Sequence, residues 1–343
     1  MTVQTFYINW EPLEQLLRDK IDLPAEPLRW EKFSEGYSNM TYLLKAGDWE
    51  GVMRRPPGGP LPPRAHDMER EYTLLEKINP LFHYAPKPYL LHEDEAIMDK
   101  HFYVMEKKEG VVVDETFPER WGSSEVVGPK LSRNLIGTLI ELQQVDYKKA
   151  GLEKMGKPEG FMERQVNGWI RRYDAAKTED ISGIGELEDW LKQAVPLNPE
   201  TTIVHNDFKL NNIVIDADDP SNTTGVLDWE LATIGDPLSD VGSALAYWGS
   251  AQDRDMGINA VSSLPGFYSR REFTEEYATK SGRDMTHIDF YLAFGFYKLA
   301  VILQQIYKRW ADGTVEDERF GTLNGAVRNL IEMGHDARAG KLL

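Results

Sequence analysis

Between Ile203 and Trp229 the chain carries three short β-type runs, IVHND, NIVID and GVLDW, set around polar turns inside a region otherwise patterned for helix. Upstream, Leu131, Leu135, Leu139 and Leu142 form one apolar stripe at helical spacing, and Phe161 to Tyr173 opens another helix. Downstream, the last hundred residues return to helix. This region therefore reads as a helical body carrying a small β insert. That sets it apart from the first third of the chain, which reads differently.

Residues 27–55 read as strands, with Trp30, Phe33, Tyr42 and Leu44 apolar and a turn-like Glu35-Gly36-Tyr37-Ser38-Asn39 between them. A second turn, Ala46-Gly47-Asp48, precedes a strand ending at Val52-Met53-Arg54. PPGGPLPP at 56–63 is a loop that neither helix nor central strand accommodates. From Asp67, Met68, Tyr72, Leu75 and Ile78 recur at helical intervals, and beyond them Ala96–Met98 and Phe102–Met105 read as a pair of strands. The expectation is an α+β protein of two unequal lobes. Residues 1–107 make a small lobe, a five-stranded sheet plus helix, and residues 108–343 a larger, mainly helical one; a length of 343 suits that division.

Composition narrows the chemistry. The net charge of −17 makes nucleic acid and anionic membrane poor partners. The absence of cysteine excludes disulfides, thiolate nucleophiles and cysteine-ligated zinc. The opening MTVQTFYINWEPLEQ lacks the pattern of a signal peptide, and the longest apolar stretch, Tyr291 to Ile306, is interrupted by Lys298 and two glutamines. A cytoplasmic location is the expectation.

The β insert also holds the residues that carry chemistry. His205, Asp207 and Asn212 satisfy H-x-D-x-x-x-x-N, the spacing of a kinase catalytic loop. Asp207 is placed to accept a hydrogen bond from an acceptor hydroxyl, Asn212 to offer a neutral oxygen to magnesium, and Lys209 to neutralise a transferred phosphoryl group. Asp228 follows 16 residues after Asn212 at the end of an apolar strand, and a hairpin over 213–227 would return it beside that asparagine. One carboxylate, one amide and phosphate oxygens form a set that magnesium accepts. Glu230 either assists the metal or is solvated. Asp236-Pro237 reads as the start of a helix, and Asp240 as a residue that holds the catalytic loop by hydrogen bonds.

The first third should then grip a nucleotide. Gly36, Ser38 and Asn39 lie in a turn whose backbone N–H groups suit phosphates. The third strand ends in Arg54-Arg55, where V-A-I-K would place lysine; strand alternation sends the two to opposite faces, and counting from Val52 favours Arg54. Its acidic partner is expected on the next helix, with Glu71 first and Glu69 second.

HNDFKLNN followed by VLDWE resembles the aminoglycoside phosphotransferase and choline kinase group. SNMTYLL, VMRRPPGG, AHDMEREY and ERQVNGWIRRY are similar to the subgroup fused to acyl-CoA dehydrogenases, over about Phe33 to Arg309. The resemblance implies a bilobal protein-kinase-like fold that uses ATP and magnesium, with ATP at a hinge near Glu106–Lys108. It implies Asp207 as base, Asn212 and Asp228 as metal ligands, and an Arg54–Glu71 pair at the phosphates. It places the acceptor, a small molecule with a hydroxyl, against the helical lobe. There Trp169, Arg172, Tyr297 and Arg309 are candidates, with Arg164, Gln165, Gln304 and Glu230 beside them. A hydroxyacyl metabolite is the favoured acceptor, with an aminoglycoside or choline as alternatives and an inactive nucleotide-binding scaffold as a competing class. Two departures stand out: arginine replaces the usual lysine, and Asn206 occupies a position where glycine is frequent. A protein kinase is disfavoured because Asp228 is followed by Trp-Glu and no A-P-E appears. The missing G-x-x-x-x-G-K-[ST] excludes a P-loop, and Gly183-Ile-Gly185 lacks the third glycine of a dinucleotide site.

Overall fold

The computed structural model describes residues 8–33, 39–57, 67–94, 96–197 and 200–343. Its contacts divide it into two units, one of residues 1–109 with 224–230, the other of 110–223 with 231–343.

The first unit opens with α1 (Trp10–Lys20) and then builds β1 (Arg29–Lys32), β2 (Met40–Ala46) and β3 (Trp49–Arg55). α2 (Met68–Ile78), β4 (Pro88–His92) and β5 (Phe102–Glu106) follow. The five strands form one sheet in the order β1-β2-β3-β5-β4, antiparallel throughout. Leu13 and Leu17 of α1 pack on Tyr42, Leu44, Met53, Phe102 and Val104, which makes one core from alternate strand positions. α2 starts on Asp67, whose side chain accepts from Arg70 N, and it buries Leu74, Leu75 and Ile78.

Two strand readings need correction. Ala96–Met98 is no strand: Asp94 accepts from Ala96 N through its side chain and from Ile97 N through its carbonyl, which turns the chain there. The partner of β5 is instead β4, starting at Pro88 with a bulge between Pro88 and Leu90, a sequence without β-branched residues to mark it. Gly36, Ser38 and most of the Pro/Gly loop lie outside the described residues.

The second unit holds β6 (Val111–Val112), α3 (Ser124–Gln144), α4 (Phe161–Ala176), α5 (Ile184–Gln193), β7 (Thr202–Val204) and β8 (Ile213–Ile215). β9 (Thr223–Val226) begins in this unit, and β10 (Thr233–Gly235), α6 (Pro237–Tyr247), α7 (Arg270–Ser281), α8 (Ile288–Ala311) and α9 (Leu323–Arg338) complete it. β7 pairs with β10 and β6 with β8, so the expected β insert is real and small. The leucine stripe on α3 is wholly buried. α6 and α8 cross closely at two glycines. A Cβ on Gly242 would lie 2.3 Å from the Tyr291 carbonyl oxygen, and one on Gly295 2.4 Å from the Gly242 oxygen. Among the described residues no helix is long and apolar enough to cross a membrane.

Candidate active site

In the second unit, β7 delivers the chain to His205 and Asn206, and Asp240 of α6 receives it. Asp240 is fully buried; one carboxylate oxygen accepts from His205 N and the other from Asn206 N, both at 2.7 Å. α6 is itself fixed by the N-cap of Asp236, which accepts from Leu238 N at 2.9 Å, with Pro237 in the first turn. Asn206 adopts a left-handed φ of 65°, where asparagine is tolerated better than most residues. That conformation accounts for an asparagine at a position where glycine is frequent.

Asp207 follows. Its Oδ2 lies 3.1 Å from Lys209 Nζ and accepts from Asn212 Nδ2 at 2.9 Å; the same Nδ2 reaches the Asp207 carbonyl oxygen at 2.8 Å. Burial alone would raise the Asp207 carboxyl, but Lys209 and Lys298 together hold it below the usual aspartate range, so it is ionised at neutral pH. Lys209 is steadied by the Tyr247 ring, 4.6 Å from its centroid. The nitrogen end of the Asn212 amide faces Asp207, which turns its carbonyl oxygen to the other side.

In the first unit, Arg54 is the organising side chain. One guanidinium nitrogen reaches Glu71 Oε1 at 2.5 Å; the other reaches Asp228 Oδ1 at 3.0 Å and lies 3.6 Å from Glu230. Burial disfavours its charge, but Glu71 first, then Tyr103, Asp228 and Glu230, more than offset this and keep it cationic. Asp228 has a left-handed φ of 66°, and with Asn206 it is one of two non-glycine residues in that region among those described. Glu230 accepts from Asn39 Nδ2 at 2.7 Å, and its carbonyl accepts from Arg70 at 3.2 Å, so it is a structural partner of Arg54 and Asn39 within this unit. Arg55 points the other way, to Asp99 at 2.8 Å, as alternation requires. Glu69 is exposed and lies 3.5 Å from His101, which leaves Glu71 as the partner of Arg54. Lys108 pairs with Glu106 at 3.0 Å and donates to the His83 carbonyl, so both side chains hold the segment they lie on.

The acceptor candidates of the helical unit divide sharply. Tyr297 is fully buried and its hydroxyl donates to Glu188 at 2.6 Å; Gln304 is buried and donates to the Ala176 carbonyl. Both belong to the core, because α8 is apolar on more than one face. Arg164 caps the preceding loop by donating to the Glu159 and Lys157 carbonyls. Arg309 is exposed near the end of α8. Arg172 is exposed and stacks on the buried Trp169 ring at 4.5 Å. Sequence reasoning missed Lys298, which is 7% exposed and donates to the Asn206 carbonyl. Its signal was present: a lone lysine inside an apolar helical run must find a partner.

Known proteins place this arrangement in a class. The model of the phosphotransferase enzyme family matches residues 29–273, more than half of the chain. Acyl-CoA dehydrogenase family member 11 of Gallus gallus is 33% identical over 91% of this chain and 40% of its own length. A solved structure from Ralstonia eutropha, described as a candidate aminoglycoside phosphotransferase, is 31% identical with a TM-score of 0.83, covering 98% of this chain and 99% of that one. A thermostable variant of aminoglycoside phosphotransferase APH(4)-Ia, solved as a ternary complex with ADP and hygromycin B, shares the fold alone. Its TM-score is 0.56 at 16% identity, covering 92% of this chain and 98% of that one. The chain therefore has a protein-kinase-like α+β fold of the phosphotransferase class. In particular, the chain belongs to the phosphotransferase enzyme family, and it spans about two fifths of the length of the acyl-CoA dehydrogenase relative it matches.

Proposed function

We propose that the chain transfers the γ-phosphoryl group of ATP to a hydroxyl of a small molecule. The observation that carries this reading is Asp207, ionised and held in a loop fixed by Asp240. Asp207 accepts a hydrogen bond from the acceptor hydroxyl and takes its proton as the new oxygen–phosphorus bond forms. The bond between the γ-phosphorus and the β–γ bridging oxygen breaks, and ADP leaves. Lys209 balances charge on the transferred group. Arg54, fixed by Glu71, serves the nucleotide phosphates, with Asn39 close in sequence to Gly36 and Ser38. Since the Glu106 and Lys108 side chains hold each other, a contact to the base from that segment comes from backbone groups. Asn212 and Asp228 offer hard oxygen donors that fit magnesium, and the ion supplies charge neutralisation on the phosphates when bound. Binding of ADP by the APH(4)-Ia neighbour supports ATP as donor.

For the acceptor, a hydroxyacyl metabolite is favoured over an aminoglycoside. The chain's relative is named as an acyl-CoA dehydrogenase family member, and the exposed Arg172 puts a cation, not a carboxylate, on this part of α4. A screen of hydroxyacyl-CoAs, aminoglycosides and choline, following ADP release, tests this. We expect release with a hydroxyacyl acceptor and a fall of about a thousandfold or more in Asp207→Asn, with ATP still bound. Equal turnover in the variant and the parent would refute the base assignment. Absence of both turnover and ATP binding would favour a scaffold.

A further inference from the structure

Asn206 is gripped at both ends of its backbone by two helices. Asp240 of α6 takes its N–H at 2.7 Å, and Lys298 of α8 donates to its carbonyl oxygen. Its own side chain donates to the Leu231 carbonyl at 2.9 Å. A residue in the left-handed region persists when its surroundings over-determine it, and these three bonds do so. The peptide that Lys298 holds is the one joining Asn206 to Asp207, so its orientation sets where the Asp207 side chain starts.

Lys298 needs support of its own, because an ammonium group in an apolar helix is costly without partners. The Trp169 ring supplies it: Lys298 Nζ lies 5.6 Å from the ring centroid, and the Arg172 guanidinium lies 4.5 Å from the same ring. Trp169 is 9% exposed, so little of its surface is open to a ligand. Burial sets the Lys298 ammonium below the usual lysine range, Asp207 and Asp240 oppose that shift, and Lys209 and Arg172 add to it, so the lysine depends on the contacts that hold it.

We propose that Lys298 is a positioning residue that clamps Asn206 together with Asp240 and so aims Asp207, and that Trp169 is the brace of this lysine instead of a wall of the acceptor pocket. The catalytic consequence rests on the kinase reading; the clamp itself does not.

Two measurements on the full chain separate them. Hydrogen–deuterium exchange without nucleotide reports the amides of 205–207, and ADP release from magnesium-ATP, with water as acceptor, reports turnover. In Lys298→Met, exchange at 205–207 is expected to rise and ADP release to fall, each by at least about tenfold, the factor carried by one hydrogen bond from a charged group. The ATP dissociation constant and the exchange of α9 stay unchanged. Lys298→Arg, which keeps a cationic donor over the same ring, recovers most of both losses. Should Lys298→Met not fold, Trp169→Phe takes its place, with the same pattern at about threefold. Unchanged exchange at 205–207 overturns the clamp, as does a rise shared equally by α6, α8 and α9. If the parent protein releases no ADP with water, exchange at 205–207 decides the clamp by itself; the kinase reading falls only if no screened acceptor elicits release either.

Discussion

Replacing Gly242 by alanine perturbs the crossing that brings Asp240 and Lys298 to the same loop residue. Asp240 lies half a turn before Gly242 on α6, and Lys298 one turn beyond Gly295 on α8. The added Cβ would sit 2.3 Å from the Tyr291 carbonyl oxygen and 2.4 Å from its carbon, against about 3.4 Å for ordinary contact. Both obstructing atoms are backbone, so no rotamer change relieves them, and the helices must part by about 1 Å. Overpacking of this kind costs about 1–3 kcal/mol, and with backbone as the obstacle the upper part of that range applies. Alanine returns up to about 1 kcal/mol through helix propensity. The net expectation is a loss of about 1–2 kcal/mol in urea unfolding, with faster exchange at 205–206 as Asp240 withdraws. Gly137 on α3 is the matched control, because a Cβ there meets nothing within 4 Å; Gly137→Ala should stabilise by a few tenths to about 1 kcal/mol. If Gly242→Ala matches the parent, or stabilises as Gly137→Ala does, the close crossing is not what holds these helices.

Two further perturbations test the first unit. Arg54→Met strands Glu71, whose side chain is 1% exposed, and should cost about 3–5 kcal/mol in urea unfolding. Adding Glu71→Leu should recover at least half of it, and a double variant no better than the single one would show that the two are uncoupled. Glu14 on α1 is held below its ordinary range by Arg18 first and by the Leu28 N–H second. Because its folded value is depressed, its contribution is present above the unfolded glutamate value and is lost as pH falls through the folded one. Glu14→Gln should therefore lower stability by at most about 1 kcal/mol at neutral pH, and the two melting curves should converge once the pH has fallen through the folded value of Glu14. A difference that does not shrink as the pH falls below the ordinary glutamate range would contradict the charge-based origin.

Much of this was legible from local pattern. Asp207 and Asn212 lie in a motif whose spacing carries its geometry. Asp240 falls within 34 residues of both, and its reading as an acidic residue that holds the loop, just past a helix-starting Asp-Pro, is the one its bonds match. Arg54 was separable from Arg55 because period-two alternation survives wherever a strand is paired on both sides, as β3 is. What failed was governed by partners distant in the chain or by side-chain turns. The apolar triplet Ala96–Met98 imitates a strand until Asp94 bends it, and β4 has no β-branched residue to declare it. Tyr297 looked like a ligand contact because an aromatic residue on a helix reads the same facing a pocket or a core. Lys298 contacts a residue 92 positions away, which no window along the sequence reaches.

The substitution of arginine for lysine on β3 follows from what Arg54 must hold. Among the described residues each unit contains one strained non-glycine residue, Asn206 in the second and Asp228 in the first, and each is fixed by buried charge carried on neighbouring elements. A left-handed residue costs about 1–3 kcal/mol, and a single hydrogen bond to a charged group contributes about 1.5–3 kcal/mol, so one such bond barely offsets the strain. Asn206 is met by two charged partners, Asp240 and Lys298. Asp228 is met through Arg54, which must at the same time neutralise Glu71 in the core. A lysine ammonium is one point of charge on a flexible stem, whereas a guanidinium is a rigid fork with nitrogens to place on two carboxylates at once. Arg54 uses the fork in that way, one nitrogen on Glu71 at 2.5 Å and the other on Asp228 at 3.0 Å. Lysine at this position would satisfy Glu71 and leave Asp228 without its partner from β3, so the departure from lysine secures the carboxylate proposed for the metal.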